Sequence, residues 1–311
     1  MALSTKRHTN ESMSHLLSDT ARHRQIGIAL VTVTTLMFAV LDTSAKWLVQ
    51  TLPVFQVVWL RFLVHTLLTT AIFMPSMGGR LFVVSNPRLQ LLRGVMLALM
   101  TAMNFFALQY LQLAETGAVQ FSVPILIALI SAWHLGEKLD TKRWVAICIG
   151  FLGVLVIIRP GSHGFHPAIF LSIMNACLYA GFNLMTRRLV SSDHPVVTQL
   201  ASAAVPTLLL APLALLHWQT PQDWQTWLIV LAAGLSGGLG HMASAMAHRY
   251  ATAAVLGPFL YQQIIYMTLG GWLVFGQIPD SAVALGACIV VLSGLYLLWR
   301  EFRKTDSLIL E

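Results

Sequence analysis

Charge is what this sequence lacks most. Of 311 residues, 10% are Asp, Glu, Lys or Arg, against about 25% in an ordinary soluble chain. Acid is the scarcer sign, with 12 acidic residues against 19 basic ones. So little charge cannot clothe a surface in water. Cysteine is almost absent, at 3 residues, which argues against a disulfide framework. Cys148, Cys177 and Cys288 stand singly within apolar stretches, so no metal site is expected from them. There is no HExxH stretch and no cluster of Asp and His, so no catalytic set is expected. No secretory leader is expected either. The first 25 residues are polar, carry Lys6, Arg7, Arg22 and Arg24, and have no apolar core or cleavage pattern.

What the chain has instead is apolar length. It is 57% hydrophobic, with a mean hydropathy of +0.72. About 20 apolar residues cross the hydrocarbon of a bilayer. Runs of that size predict ten spans, near 26–48, 55–75, 92–112, 116–135, 143–159, 167–187, 196–217, 225–247, 252–275 and 281–299. With the N-terminus inside, every Lys and Arg except Lys46, Arg61 and Arg159 falls on a cytoplasmic flank, as the positive-inside rule requires. The expected class is an all-α membrane protein of ten transmembrane helices with both termini cytoplasmic. Basic loops facing anionic lipid account for the net charge of +7, so no nucleic-acid partner is expected.

The two halves echo each other. A shift of 140 positions lays Ala247–Leu295 over Ala107–Leu155 without a gap. Tyr110 meets Tyr250, Gly117 meets Gly257, Gly136 meets Gly276, Asp140 meets Asp280 and Cys148 meets Cys288. Five spans per half would invert the second copy, and the charges agree. Lys138, Lys142 and Arg143, expected inside, map onto uncharged Ile278, Ala282 and Val283, expected outside. Outer Gln109 maps onto inner Arg249. The reading is therefore two inverted-topology five-helix repeats: a polar tail 1–25, a first repeat 26–159, a second repeat 160–300 and a tail 301–311.

Polar residues inside apolar spans must face protein or water. Asp42 and Lys46 lie four apart on one helical face, and Arg61 lies in the next span. They are candidates for a structural ion pair or for proton coupling. Asn175, Tyr179 and Asn183 make one polar stripe on the sixth span. Asn104, Gln120, His241, Tyr261 and Gln262 are the remaining candidates for a solute-binding wall, with interhelical hydrogen bonding as the plainer alternative. Phe38, Phe105 and Tyr266 are available to stack on a flat solute.

The Arg61-Phe62 pair, the junction ending in Pro124, Gly136-Glu137 with Trp144, Gly150 and Gly153, Arg159-Pro160, and the later Pro258, Gly276 and Asp280 together resemble the EamA-type branch of the drug/metabolite transporter superfamily. The second-half counterpart of Glu137 is Gln277, a departure from that pattern. The resemblance implies two EamA repeats around a central cavity worked by alternating access. It implies a small-molecule substrate and no cofactor, in a bacterial inner membrane. The expected solute site is neutral and aromatic, suited to a flat cofactor-like molecule such as riboflavin or S-adenosylmethionine. Export of amino acids, amines or drugs is the alternative. A membrane-embedded enzyme and a passive channel are readings of other classes. Proton coupling and a homodimer are compatible with all of this.

Overall fold

The computed structural model describes residues 21–123, 125–126, 129–130, 141–159, 165–189, 193–251 and 253–309. Pro124, Gly136, Glu137, Asp140 and Pro160, the N-terminal tail to residue 20 and the side chain of Asn183 lie outside the described residues.

Every regular element among the described residues is helical. In chain order these are α1 (Ala21–Leu48), α2 (Val54–Met77), a 3-10 turn (Gly78–Phe82), α3 (Pro87–Leu108), α4 (Leu113–Gln120) and α5 (Thr141–Ile158). There follow α6 (Ile169–Leu189), α7 (Pro195–Leu216), α8 (Trp224–Tyr250), α9 (Ala253–Leu260), α10 (Gln263–Phe275) and α11 (Ser281–Ile309). Five segments are long and apolar enough to cross a membrane: Arg22–Leu48, Val54–Phe82, Pro87–Leu108, Pro195–Leu216 and Trp224–Tyr250. Leu67, Leu208, Leu216, Leu273 and Leu292 stand exposed on their helices, an exterior that suits hydrocarbon and not water. Cys148, Cys177 and Cys288 are exposed on α5, α6 and α11.

The ninth apolar run was expected as one span and is two helices. α9 ends at Leu260, and the Gln262 N–H reaches back three residues to Phe259 O at 3.4 Å. Pro258 lies inside α9 and cannot donate. The fourth run behaves likewise: α4 ends at Gln120, and the Ser122 N–H goes to Val119 O at 3.0 Å. The carbonyl of Gln120 would look to residue 124 for a donor, and that residue is proline. α4 and α9 begin and end 140 residues apart, as Leu113–Gln120 and Ala253–Leu260.

The packing comes in related pairs. α1 packs on α8 and α3 on α6; α2 packs on α7 and on α8, and α3 on α7; α5 packs on α11. Glycines set the closest approaches. A Cβ on Gly94 of α3 would lie 2.5 Å from Val205 Cβ of α7, and one on Gly234 of α8 would lie 2.3 Å from Val64 Cβ of α2. Between α5 and α11, Gly153 faces Ile289 and Val290, while Gly286 faces the Gly153 carbonyl. Small residues at helix crossings are how helices in lipid gain van der Waals contact.

Side chains tie the loops. Gln56 at the start of α2 donates to Gln219 O at 2.7 Å and accepts from Gln219 N at 2.9 Å, fastening the α7–α8 loop. At the other end of the bundle, Asp193 before α7 accepts from Ser85 N at 2.7 Å and from Gln90 Nε2 at 2.9 Å, fastening the α2–α3 loop. The Arg159 guanidinium at the end of α5 pairs with Asp280, whose other oxygen caps α11 through Val283 N at 2.9 Å. Glu115 accepts from Gln112 N at 2.7 Å in a capping box on α4.

Burial pushes the Asp193 carboxyl upward, but the hydrogen bonds from Gln90 and Ser85 outweigh it and hold it below the ordinary carboxylate value. A depressed folded value means stability that is present above the unfolded value of about 3.9 and lost as pH falls through the folded one. Thermal unfolding of the detergent-solubilised protein is expected to show Asp193→Asn less stable than the parent at pH 7. The gap should close as pH drops below about 4; a gap that persists unchanged at acid pH would contradict the assignment.

Candidate functional site

The polar residues singled out in the sequence gather in two clusters. The first lies where α1, α2, α3 and α8 meet. Asn104 Nδ2 of α3 donates to Asp42 Oδ1 of α1 at 2.9 Å. Arg61 of α2, 3% exposed, donates through Nη1 to Thr101 Oγ1 at 3.3 Å. Its guanidinium carbon lies 4.2 Å from the centroid of the Phe62 ring. His65, one turn on, is stacked with His241 of α8 at 5.8 Å and 10°. Phe38 meets His241 edge-on at 5.0 Å. Gln199 of α7 reaches both His65 Nε2, at 3.4 Å, and Gly238 O, at 3.2 Å.

The glycine run of α8 makes this cluster possible. A Cβ on Gly237 would lie 3.3 Å from Arg61 Nε, one on Gly238 would lie 3.0 Å from His65 Cδ2, and one on Gly240 would lie 2.8 Å from Phe38 Cε1. Bare backbone lets three side chains of α1 and α2 press against the helix. At the edge of the cluster, Arg93 of α3 stands 4.4 Å from the Phe182 ring and bonds Ser202 Oγ and Thr198 O of α7. Tyr179 stacks on Phe182 at 6.2 Å and 14°.

The second cluster lies beside the two helix breaks. Asn175 Nδ2 of α6 donates to Gln120 Oε1 at 3.3 Å. Phe121 and Tyr261, each the first residue after a broken helix, meet ring to ring at 5.1 Å. Tyr261 is buried beneath Gly294 of α11, and its hydroxyl has no partner among the described residues. Asn175 Oδ1 is likewise buried without a donor among them. Gln262 Nε2 donates to Thr32 Oγ1 of α1 at 3.0 Å.

Two expectations need correcting. Lys46 does not pair with Asp42. It is 2% exposed and donates to the carbonyls of Leu108 and Leu111 at 2.9 and 2.6 Å, across the end of α3. Its stem is long enough to reach the frayed carbonyls of α3, where a cation also meets the negative end of the helix dipole. Arg61 also stands outside ion-pair range of Asp42, and Arg159–Asp280 is the ion pair found among the described residues. Nor is the set neutral. Arg93, sorted to the cytoplasmic flank from sequence, stands within α3 and faces α6 and α7. Of the aromatic residues, Phe105 is 1% exposed core, whereas Phe38 and Tyr266 are half-buried against it. Thr32, Thr101 and Gln199 went unnoticed in the sequence; single polar residues in apolar helices were the only signal.

The EamA-like transporter family matches twice, over residues 25–159 and 166–299. A riboflavin transporter of Vibrio cholerae is 35% identical over 190 residues, covering 60% of this chain and 63% of that protein, so the match spans less than two thirds of its length. An S-adenosylmethionine uptake transporter of Rickettsia prowazekii is 23% identical over 266 residues, 86% of this chain and 90% of that one. The pseudopaline exporter CntI of Pseudomonas aeruginosa is 27% identical over 268 residues, covering 86% and 94%. A crystal structure 21% identical has the same fold, with a TM-score of 0.60 over 92% of this chain and 99% of that chain. Together with the apolar helices, these likenesses indicate a multi-pass membrane transporter of a small molecule and not an enzyme. The chain belongs to the EamA-like transporter family.

Proposed function

We propose that this protein is a secondary transporter of a bacterial inner membrane that takes up a planar, cofactor-like metabolite by alternating access. It is built of two inverted five-span repeats, residues 26–159 and 160–300, with both termini cytoplasmic. The observation that carries the reading is the contact between Phe121 and Tyr261 at 5.1 Å, where two broken helices meet beside the Asn175–Gln120 amide pair. These rings are 140 residues apart, so related positions touch across the axis that would exchange the halves. The paired packing of α1 on α8 with α3 on α6, and of α2 on α7, agrees with such an axis. Interrupted helices at the repeat interface are where transporters hold their solutes.

In this reading Asn104, Gln120, Asn175, Tyr179, Asn183, His241, Tyr261 and Gln262 contact the solute, amide and phenol groups orienting its polar edge. The orphaned Asn175 Oδ1 and Tyr261 hydroxyl are the atoms with bonding capacity to spare. Asp42, half-buried and held by Asn104, is the carboxylate placed to carry a coupling proton. The choice between riboflavin and S-adenosylmethionine rests on the names of the relatives.

Proteoliposomes supplied with riboflavin or S-adenosylmethionine, with and without a pH gradient, test this. Saturable accumulation of one compound is expected. Asn175→Ala and Tyr261→Phe should each lower it about tenfold, the worth of one lost hydrogen bond. Glu115→Gln, which preserves the capping box, should transport normally. Unsaturable leakage would instead indicate a pore. Accumulation only from inside to outside would indicate an exporter, the direction stated in the name of the Pseudomonas relative.

A further inference from the structure

Arg61 has fewer partners than its chemistry demands. A guanidinium presents five donors in a fixed fork and remains charged. This one is 3% exposed. One bond goes to Thr101 Oγ1 at 3.3 Å, one face lies on Phe62, and Nε has no acceptor among the described residues. The carboxylate of the cluster is engaged with Asn104 and stands outside ion-pair range. Around the guanidinium stand the rings of His65 and His241, and Arg93 stands at the cluster's edge. The cluster thus gathers basic side chains against the single acid Asp42.

A buried cation that touches no carboxylate is costly, and ordinary structural arginines avoid that cost by pairing. Thr101 and the Phe62 ring return only part of it. Gly237 offers the open Nε nothing but backbone, because any side chain there would meet the guanidinium within 3.3 Å. An anion from outside the chain would complete this arrangement. It would meet a fork whose orientation Thr101 and Phe62 already set.

We propose that Arg61 is the receptor for an acidic group on the transported solute, a carboxylate or a phosphate, which docks on its guanidinium within the α1–α2–α3–α8 cluster. This rests on the transporter reading above and narrows it to acids and zwitterions. A solute with a flat ring and an acidic tail would span both clusters, its ring toward Phe121 and Tyr261 and its acid at Arg61.

The test uses the full-length chain in nanodiscs and two ligand pairs that differ by one acidic group: S-adenosylmethionine with its decarboxylated form, and riboflavin 5′-phosphate with riboflavin. Tryptophan fluorescence titration reads affinity. The parent protein is expected to bind the acid-bearing member of at least one pair ten times more tightly or better. Arg61→Met should bring that ratio near one while leaving the acid-free member's affinity within about twofold, and Arg61→Lys should fall between. Arg61→Met should melt near the parental temperature, because it removes a buried cation that makes no ion-pair contact. An unchanged ratio in Arg61→Met, equal affinities in the parent, or no binding at all overturns the proposal. So does a large drop in melting temperature with the ratio preserved, since Arg61 would then be structural. Uptake without any preference for the acid would sink the role of Arg61 alone. Acid-selective binding without uptake would sink the transport reading and leave Arg61 standing.

Discussion

Gly234→Ala is expected to cost most of the folded protein, and Val64→Gly to restore it. A single methyl on Gly234 would sit 2.3 Å from Val64 Cβ and 2.5 Å from its Cγ1. The Cβ is fixed to the backbone, so no rotamer change clears it, and α8 must part from α2. Overpacking of this kind costs about 1–3 kcal/mol where the surroundings yield and more where they do not. Here they yield poorly, because the same stretch of α8 is pinned by Arg61, His65 and Phe38 against Gly237, Gly238 and Gly240. Gly94→Ala should fail in the same way against Val205 Cβ, at 2.5 Å, and be rescued by Val205→Gly. The crossed pairs, Gly234→Ala with Val205→Gly and Gly94→Ala with Val64→Gly, should not recover. Monodisperse yield in detergent and the melting temperature read all four combinations. Recovery in a crossed pair would show that the damage is not local to the contact.

Lys46→Met should be nearly as damaging, for a different reason. The methionine stem fills similar space, but the carbonyls of Leu108 and Leu111 lose their donor. Each buried acceptor left unsatisfied costs about 1–3 kcal/mol, so a loss of about 3 kcal/mol or more is expected. The ammonium also lies 5.5 Å from the Phe275 ring, so the end of α10 loses a contact as well. A double-mutant cycle separates this from the pairing suggested by sequence spacing. Asp42→Asn combined with Lys46→Met should show additive losses, because the two side chains have no bond in common. A coupling energy above about 1 kcal/mol would restore the Asp42–Lys46 pair and contradict the geometry.

The sequence made parts of this legible and hid others for physical reasons. Apolar run lengths gave the helices, and glycine and proline marked where helices break or approach. Asp280 and Arg159 were visible as isolated charges near helix ends, and they prove to be one ion pair. Glu115 was readable from position alone, because a carboxylate in the first turn of a helix has one obvious duty. The fate of Lys46 was not readable. Spacing of four says which residues share a face, yet a four-carbon stem chooses among every acceptor within its reach. Those acceptors were backbone carbonyls, which sequence does not label. The berth of Arg93 was hidden for a related reason: charge counting treats a helix end as a flank, and cannot see that Ser202, Thr198 and Phe182 receive the side chain within the bundle. Tyr179 and Phe182 were readable as helix neighbours, but their stacking beside Arg93 depends on how α3 meets α6.

The three cysteines bear on how this molecule can be watched at work. Each projects from the outer surface of α5, α6 or α11, among side chains suited to acyl chains. A thiol among acyl chains meets no water-soluble alkylating reagent. The unaltered chain should therefore be silent to membrane-impermeant maleimides. It is a ready background on which a single introduced thiol beside Asn104 or Asn175 would report when that position opens to one side of the bilayer or the other.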